Sequence, residues 1–254
     1  MRALLLAAGL GARLRPLTDH TPKCLAPIHG RPLLAYWLDA LFEEVQVERV
    51  LVNTHHLHEA VEAFVAASPW RDHIDLVHES ELLGTGGTVL ANRAWLSAES
   101  FLVVHADNLT DFPISALIEA HAAAGPDNLL TLLAFRTPNP SHCGILELDS
   151  GSRVVAFHEK VSDPPGNLAN GAVYVFSQAV VNRIADLGKP VVDLSTEIIP
   201  GLLPRVYALE HTGFFMDIGT PEALEQAQGS FPAPSSPPDA QLESSRLLTR
   251  DSKS

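Results

Sequence analysis

The chain has 254 residues, 46% of them apolar, with 17 Lys plus Arg against 30 Asp plus Glu and a formal charge of −13. That is enough apolar material for one large α/β domain or two small ones, and no uninterrupted apolar stretch approaches the length of a membrane span. The acidic balance, without a basic stripe, argues against nucleic acid as a partner; Cys24 and Cys143 suggest no disulfide framework, so the cytoplasm is the simplest compartment.

Short apolar runs alternate with amphipathic stretches, the pattern of helices packed on a mostly parallel sheet. Residues 2–8 read as the first strand. A cleaved leader there would sacrifice the loop that follows, so the segment is taken as buried structure. Pro32 suits the first turn of a helix over 32–44. A strand at 50–53, a helix around 57–67 and a strand at 74–78 follow. Next come a helix over 86–95 and a strand over 101–105 that ends at Ala106-Asp107-Asn108. After a helix at 114–123, residues 129–135 form another buried strand. From Pro138 the texture changes. Residues 144–158 alternate like a hairpin turning at Asp149-Ser-Gly151, then a strand at 172–176 precedes helices near 178–186 and 195–203. The Pro- and Ser-rich composition from about Gly229 cannot bury much apolar area, so one α/β unit is expected over 1–229 and a disordered tail over 230–254.

Four segments carry chemistry. In Leu4-Leu-Leu-Ala-Ala-Gly-Leu-Gly-Ala-Arg-Leu-Arg-Pro-Leu-Thr18, closed by Thr21-Pro-Lys23, an apolar strand runs into a glycine loop followed by fixed cations. Glycines allow close backbone approach to a phosphate, and exposed amides with Arg13 and Lys23 neutralise its charge. No Gly-Lys-Ser/Thr follows, and Leu14 stands where the third glycine of a dinucleotide fingerprint belongs, so neither standard phosphate loop fits. A plain strand-to-helix turn is the other reading. Asp107 follows four apolar residues of a strand, the end at which open α/β sheets bind ligands, unless it only forms an Asx turn. Asp217 interrupts the apolar Gly213-Phe-Phe-Met-Asp-Ile-Gly-Thr-Pro221. A carboxylate there requires a partner or a cation, or else it caps the helix that begins at Thr220-Pro221, for which Thr220 is better placed. Two such carboxylates can share one Mg²⁺, which favours carboxylates and phosphate oxygens. Glu79-Ser-Glu-Leu-Leu-Gly-Thr-Gly-Gly87 is a second glycine-rich helix entry. His55, His56 and His58 lack metal-ligand spacing and are expected to line the loop after strand 50–53.

The run AAGLGARLRPLT…TPKCLAPIHGRPLL resembles the N-terminal signature of the sugar-1-phosphate nucleotidyltransferases, roughly AAGxGxRLxPLT and then PKxLxPxxGxPL. Later segments extend the resemblance to about Glu225. It implies a Rossmann-like three-layer α/β sandwich with a mixed, mostly parallel central sheet. By the same resemblance Ala8, Gly9 and Gly11 contact the nucleotide, Arg13 and Lys23 are catalytic, and Asp107 and Asp217 hold Mg²⁺. Ala106 replaces the family's usual glycine before the first of these aspartates. Leu83, Gly84, Thr85, Gly86 and Gly87 match the loop that faces base and ribose. Phe157-His-Glu-Lys160 is similar to F-x-E-K-P and Asn170-Gly-Ala-Val-Tyr-Val-Phe176 to N-x-G-x-Y-x-F, so Glu159, Lys160 and Asn170, with Gly144, fall on the sugar-phosphate side. Val161 replaces the proline of the first motif, and Ala172 the glycine of the second. A solvated Glu159–Lys160 pair is the bland alternative. The implied partners are a nucleoside triphosphate and a sugar 1-phosphate, with GTP and a mannose- or heptose-type sugar favoured over UTP with N-acetylmuramate 1-phosphate or another hexose 1-phosphate. Two other classes are a regulatory paralogue that binds nucleotide-sugar without turnover and a glycosyltransferase with a nucleotide-sugar donor, whose usual Asp-x-Asp motif Asp107-Asn-Leu does not supply.

Overall fold

The computed structural model describes residues 1–97 and 99–233. The chain runs β1 (Arg2–Leu6), β2 (Pro27–Ile28), β3 (Arg31–Pro32), α1 (Leu33–Asp39), β4 (Arg49–Thr54), α2 (His58–Ala67), β5 (Ile74–His78) and α3 (Gly84–Ala91). It continues through β6 (Ser100–His105), β7 (Asn108–Thr110), α4 (Ile114–Ala123), β8 (Leu130–Arg136), β9 (Gly144–Leu148), β10 (Val154–Glu159) and β11 (Leu168–Ser177). The last elements are α5 (Ala179–Ala185), α6 (Ile199–Leu202), β12 (Val206–His211), β13 (Phe215–Asp217) and α7 (Pro221–Ser230).

Nine strands form one mixed sheet along β10-β9-β11-β6-β1-β4-β5, with β8 and β12 branching from β11. The half β6-β1-β4-β5 is wholly parallel. Beyond β6, β11 turns back antiparallel and pairs with β8 and β9. The sheet is therefore mostly parallel, with β10 and β11 opposing the rest. Parallel strands covered on both faces need continuous apolar runs rather than alternation. Leu4, Leu51 and Val103 accordingly pack on one face with α3, α5 and α6. Ala3, Leu5, Val50, Val52, Leu102 and Val104 pack on the other with α1, α2 and α4.

Several boundaries differ for local reasons. Strand β1 stops at Leu6 rather than residue 8, because the Ala7 amide donates to the Asn53 Oδ1 at 2.7 Å and leaves the ladder. The expected helix over 32–44 begins as α1 and widens to π-helical turns over Ala40–Glu44. Helix α3 spans Gly84–Ala91 instead of 86–95. The Asp149 turn forms as expected, its Oδ1 accepting from the Gly151 and Arg153 amides at 2.8 and 2.9 Å. Strand β12 was not anticipated. Thr220 caps α7 by accepting from the Ala223 amide at 3.2 Å.

A third core, around Ile28, Leu33, Leu109, Ile218 and Ala227, fastens α7 against the β2–β3 hairpin. Phe231 closes it, its ring edge-on to Tyr36 and to Phe214. Residues 230–233, the start of the expected tail, are thus a helix end and a packed aromatic; residues 234–254 lie outside the described residues.

The two alanines at glycine positions behave differently. Ala106 is buried and outside the left-handed region, so its methyl is accommodated. Ala172 has a φ of +53° within a bulge of β11, its amide donating to the Asn170 Oδ1 at 3.0 Å. A side chain in that region costs about 1 kcal/mol. Ala172→Gly is therefore expected to raise stability by about 0.5–1 kcal/mol, read as a higher urea midpoint at unchanged m.

Candidate active site

The carboxyl ends of β1, β4 and β6 open onto a cavity of about 210 Å³, lined by the first glycine loop, Lys23, Asp107 and the start of α3. Gly11 adopts φ +63°, and a Cβ there would meet Thr18 Cγ2 at 2.7 Å and Lys23 Cβ at 3.2 Å. Only glycine lets this turn close over the lysine. Gly9 faces open space and, with Ala8, lines the cavity. Leu14, where a third glycine would stand in a dinucleotide loop, is a core residue at 1% exposure.

Lys23, the first residue of a short 3-10 turn, is buried to 8% exposure. Its ammonium donates to Asp107 Oδ2 at 2.6 Å and Asp217 Oδ1 at 3.1 Å. The two aspartates, 110 positions apart (217 − 107), meet because β13 pairs antiparallel with β7, setting Asp217 opposite Asn108. The Ile218 amide completes the join by donating to the Asp107 carbonyl at 2.9 Å. Arg13, largely exposed, lies 3.6 Å from Asp217 Oδ2. A Cβ on Gly219 would come within 3.0 Å of Arg13 and 3.1 Å of the Asp217 carboxylate, so the glycine after Ile218 makes room for this cluster. Burial works against the charge on Lys23, but Asp107 and Asp217 outweigh it and hold its pKa above the ordinary 10.5. Burial likewise pushes the Asp107 carboxyl upward, and the Lys23 ammonium overrides it, holding the group below 3.8.

The second glycine loop divides its residues between two tasks. Gly84 and Thr85 line the cavity. The Gly86 and Gly87 amides donate to the Val192 carbonyl at 2.8 and 3.1 Å, and the Val192 amide donates to the Leu83 carbonyl at 3.0 Å. A Cβ on Gly84 would sit 2.6 Å from the Val192 oxygen, and one on Gly87 would sit 2.2 Å from the Pro190 oxygen. These glycines admit the 190–192 segment against α3, and the Gly86 and Gly87 amides are already engaged.

On the antiparallel side, Gly144 opposes Glu159 across β9–β10, where a Cβ would meet Glu159 Oε2 at 2.6 Å. Glu159 pairs with Lys160 at 3.1 Å. Burial pushes the Cys143 thiol up, Asp217 and Glu159 add to the shift, and Lys160 opposes it. Asn170 uses its amide internally, donating to the Tyr174 hydroxyl at 2.8 Å. None of Gly144, Glu159, Lys160 and Asn170 lines the cavity that holds Lys23.

Several cavity residues have no assignment from the sequence, and four of them matter most. Glu79, at 6% exposure, accepts from Asn53 Nδ2 at 2.9 Å, Thr88 Oγ1 at 2.6 Å and the Leu83 amide at 3.1 Å. His105 carries a buried Nε2 with no hydrogen-bond partner among the described residues, and burial depresses its pKa. A polar residue ending the apolar run Val50-Leu-Val-Asn53 was the available signal for Asn53, the same signal that singled out Asp107. Cys24 also lines the cavity, its thiol pushed up to about 12 by burial and so inert as a nucleophile. The histidines after β4 brace loops: His55 Nδ1 lies 2.7 Å from the Glu79 carbonyl and His56 Nε2 lies 3.1 Å from that of Thr18. His58 Nδ1 lies 3.0 Å from Glu62.

A crevice at the carboxyl edge of a parallel half-sheet places the chain among the nucleotide-binding α/β folds. More narrowly, it belongs to the nucleotidyl transferase family, whose model matches residues 2–232. It is 33% identical over 227 residues, 87% of its length, to the mannose-1-phosphate guanylyltransferase catalytic subunit beta of Drosophila pseudoobscura pseudoobscura. It is 32% identical over 242 residues, 91% of its length, to the mannose-1-phosphate guanylyltransferase of Mycobacterium tuberculosis. The chain spans 60% of the first relative and 66% of the second. In three dimensions it resembles HddC from Yersinia pseudotuberculosis, crystallised with GMP-PN, at a TM-score of 0.75 and 24% identity, covering 91% of this chain and 99% of that one. Among the described residues no helix is long and apolar enough to cross a membrane.

Proposed function

We propose that the protein transfers a nucleotidyl group from a nucleoside triphosphate to a sugar 1-phosphate, releasing pyrophosphate, with GTP and a mannose- or heptose-type 1-phosphate as substrates. The convergence of Lys23, Asp107, Asp217 and Arg13 beside a glycine loop carries this reading. The guanylyltransferase relatives support the choice of base.

Two carboxylates that reach a single ammonium can also share one hard divalent cation. Among the described residues no group of three or more His, Cys, Asp or Glu could hold a metal. Phosphate oxygens and water would complete the coordination, and that fits Mg²⁺. Bound there, Mg²⁺ would neutralise charge on the nucleotide phosphates.

The remaining chemistry belongs to the chain. An oxygen of the sugar phosphate forms a bond to the α-phosphorus while the bond to the β-phosphate bridging oxygen breaks, and pyrophosphate leaves. The nucleophile is already anionic, so no side chain must take its proton. Lys23 positions and neutralises the α-phosphate and the incoming phosphate, and Arg13, exposed at the rim, meets the departing pyrophosphate. Ala8, Gly9 and Gly11 let the backbone approach the phosphates. Leu83, Gly84, Thr85, Gly86 and Gly87 shape the base side, through cavity contacts or by holding the loop. Glu159, Lys160, Asn170 and Gly144 would receive the sugar phosphate, Asn170 once its amide is released from Tyr174.

Pyrophosphate release measured over a grid of GTP, UTP, dTTP, CTP and ATP against mannose, glucose, N-acetylmuramate and heptose 1-phosphates tests this. GTP with a mannose- or heptose-type partner should dominate. A dominant UTP pair would overturn the choice of substrates, and nucleotide binding without release anywhere on the grid would count against catalysis.

A further inference from the structure

The Lys23 ammonium stands 2.6 Å from one carboxylate and 3.1 Å from the other, in the space a shared divalent cation would need. Resting on the function proposed above, we propose that Lys23 is the resident cation of the Asp107–Asp217 pair in the nucleotide-free protein. A divalent metal then gains the pair only when a polyphosphate draws the lysine away.

Charge counting points the same way. Two carboxylates face Lys23 and Arg13, so the cluster is neutral as it stands. A divalent cation entering alone would have to displace the ammonium from both carboxylates or sit beside it, and at such separations like charges repel strongly. The lysine stem is buried with Gly11 close against it, and Lys23 lines the cavity that the glycine loop borders. A polyphosphate in that loop supplies the anion that the ammonium needs on leaving. The same ligand brings the oxygens that complete a hard cation's shell. Lysine suits the exchange, since its point charge on a flexible stem can change partners without a fixed fork geometry. One cation thus guards the acidic pair until the substrate arrives, and metal binding becomes linked to nucleotide binding.

The test is direct binding of Mn²⁺ to nucleotide-free protein, followed by loss of the free-ion paramagnetic resonance signal. Wild type should bind weakly. Lys23→Met and Lys23→Gln should each bind at least tenfold more tightly, and should gain thermal stability with Mg²⁺ alone where wild type gains none. Arg13→Gln removes a neighbouring charge without vacating the site and should bind less tightly than either Lys23 variant. Unchanged affinity in both Lys23 variants, or an equal gain in Arg13→Gln, would overturn the latch. A separate arm adds GTP to wild type and to Asp107→Asn. Tight Mn²⁺ uptake that Asp107→Asn abolishes upholds the carboxylate pair even if the latch fails. No difference between them removes the pair as a metal site, and the latch with it.

Discussion

Lys23→Met is expected to lower the turnover number by roughly 10²–10³-fold, the cost typical of removing one preorganised charge-stabilising donor. The reason lies in where the charge is held. Lys23 is 8% exposed, and a charge fixed in so dry a setting interacts more strongly with a phosphate than one in water. It also needs no reorganisation to act beyond changing partners. Arg13→Gln should cost less, because its guanidinium is largely exposed and only 3.6 Å from Asp217 at its nearest. Asp107→Asn should act through the same cluster, so the double variant should lose less than the product of the two single effects. Steady-state pyrophosphate release checks this, with circular dichroism to confirm folding. A folded Lys23→Met protein at wild-type turnover would remove the lysine from the mechanism.

The parallel half of the fold was legible because β1, β4 and β6 are continuous apolar runs, and β4 and β6 end in residues that do not belong in a core. Asp107 was identified in that way. Its partnership with Asp217 was not derivable from spacing, since it depends on the β7–β13 pair, three residues on each side. The family resemblance suggested the pairing, and the hairpin-like contact supplies its physical cause. The antiparallel half was harder. Strand β12 carries Val206, Ala208 and Leu209 among polar neighbours, a weak alternation that only pairing with β8 resolves. The second glycine loop shows another limit. Gly86 and Gly87 read as ligand contacts, yet their missing side chains make room for Pro190 and Val192, a hundred residues further on. A glycine in sequence announces a close approach without saying what approaches. Glu79 was hidden for a related reason: it is an acid in a polar stretch, and its three bonds come from three different segments.

Glu79→Ala is expected to destabilise the fold by about 2–4 kcal/mol, since it strands buried donors at roughly 1–3 kcal/mol each. Thr88 retains the Gly84 carbonyl at 3.0 Å, so its hydroxyl is spared. The Leu83 amide loses its carboxylate partner, and the Asn53 side-chain amide keeps only the Thr88 hydroxyl at 3.3 Å. Glu79→Gln keeps one acceptor oxygen but sets an NH₂ group against one of those donors, and should cost about half as much. Urea unfolding at constant m measures both. The kinetic consequence separates this residue from Lys23. Glu79 holds Asn53, Asn53 Oδ1 accepts from the Ala7 amide, and Glu79 also holds Leu83, so one carboxylate sets the spacing between the two glycine loops. Loosening that spacing should weaken nucleotide binding, raising KM for the nucleotide more than it lowers kcat. A variant that unfolds at the wild-type urea midpoint would show that water entering from the cleft satisfies the stranded donors. One that keeps its KM would show that the loops hold their separation without the carboxylate.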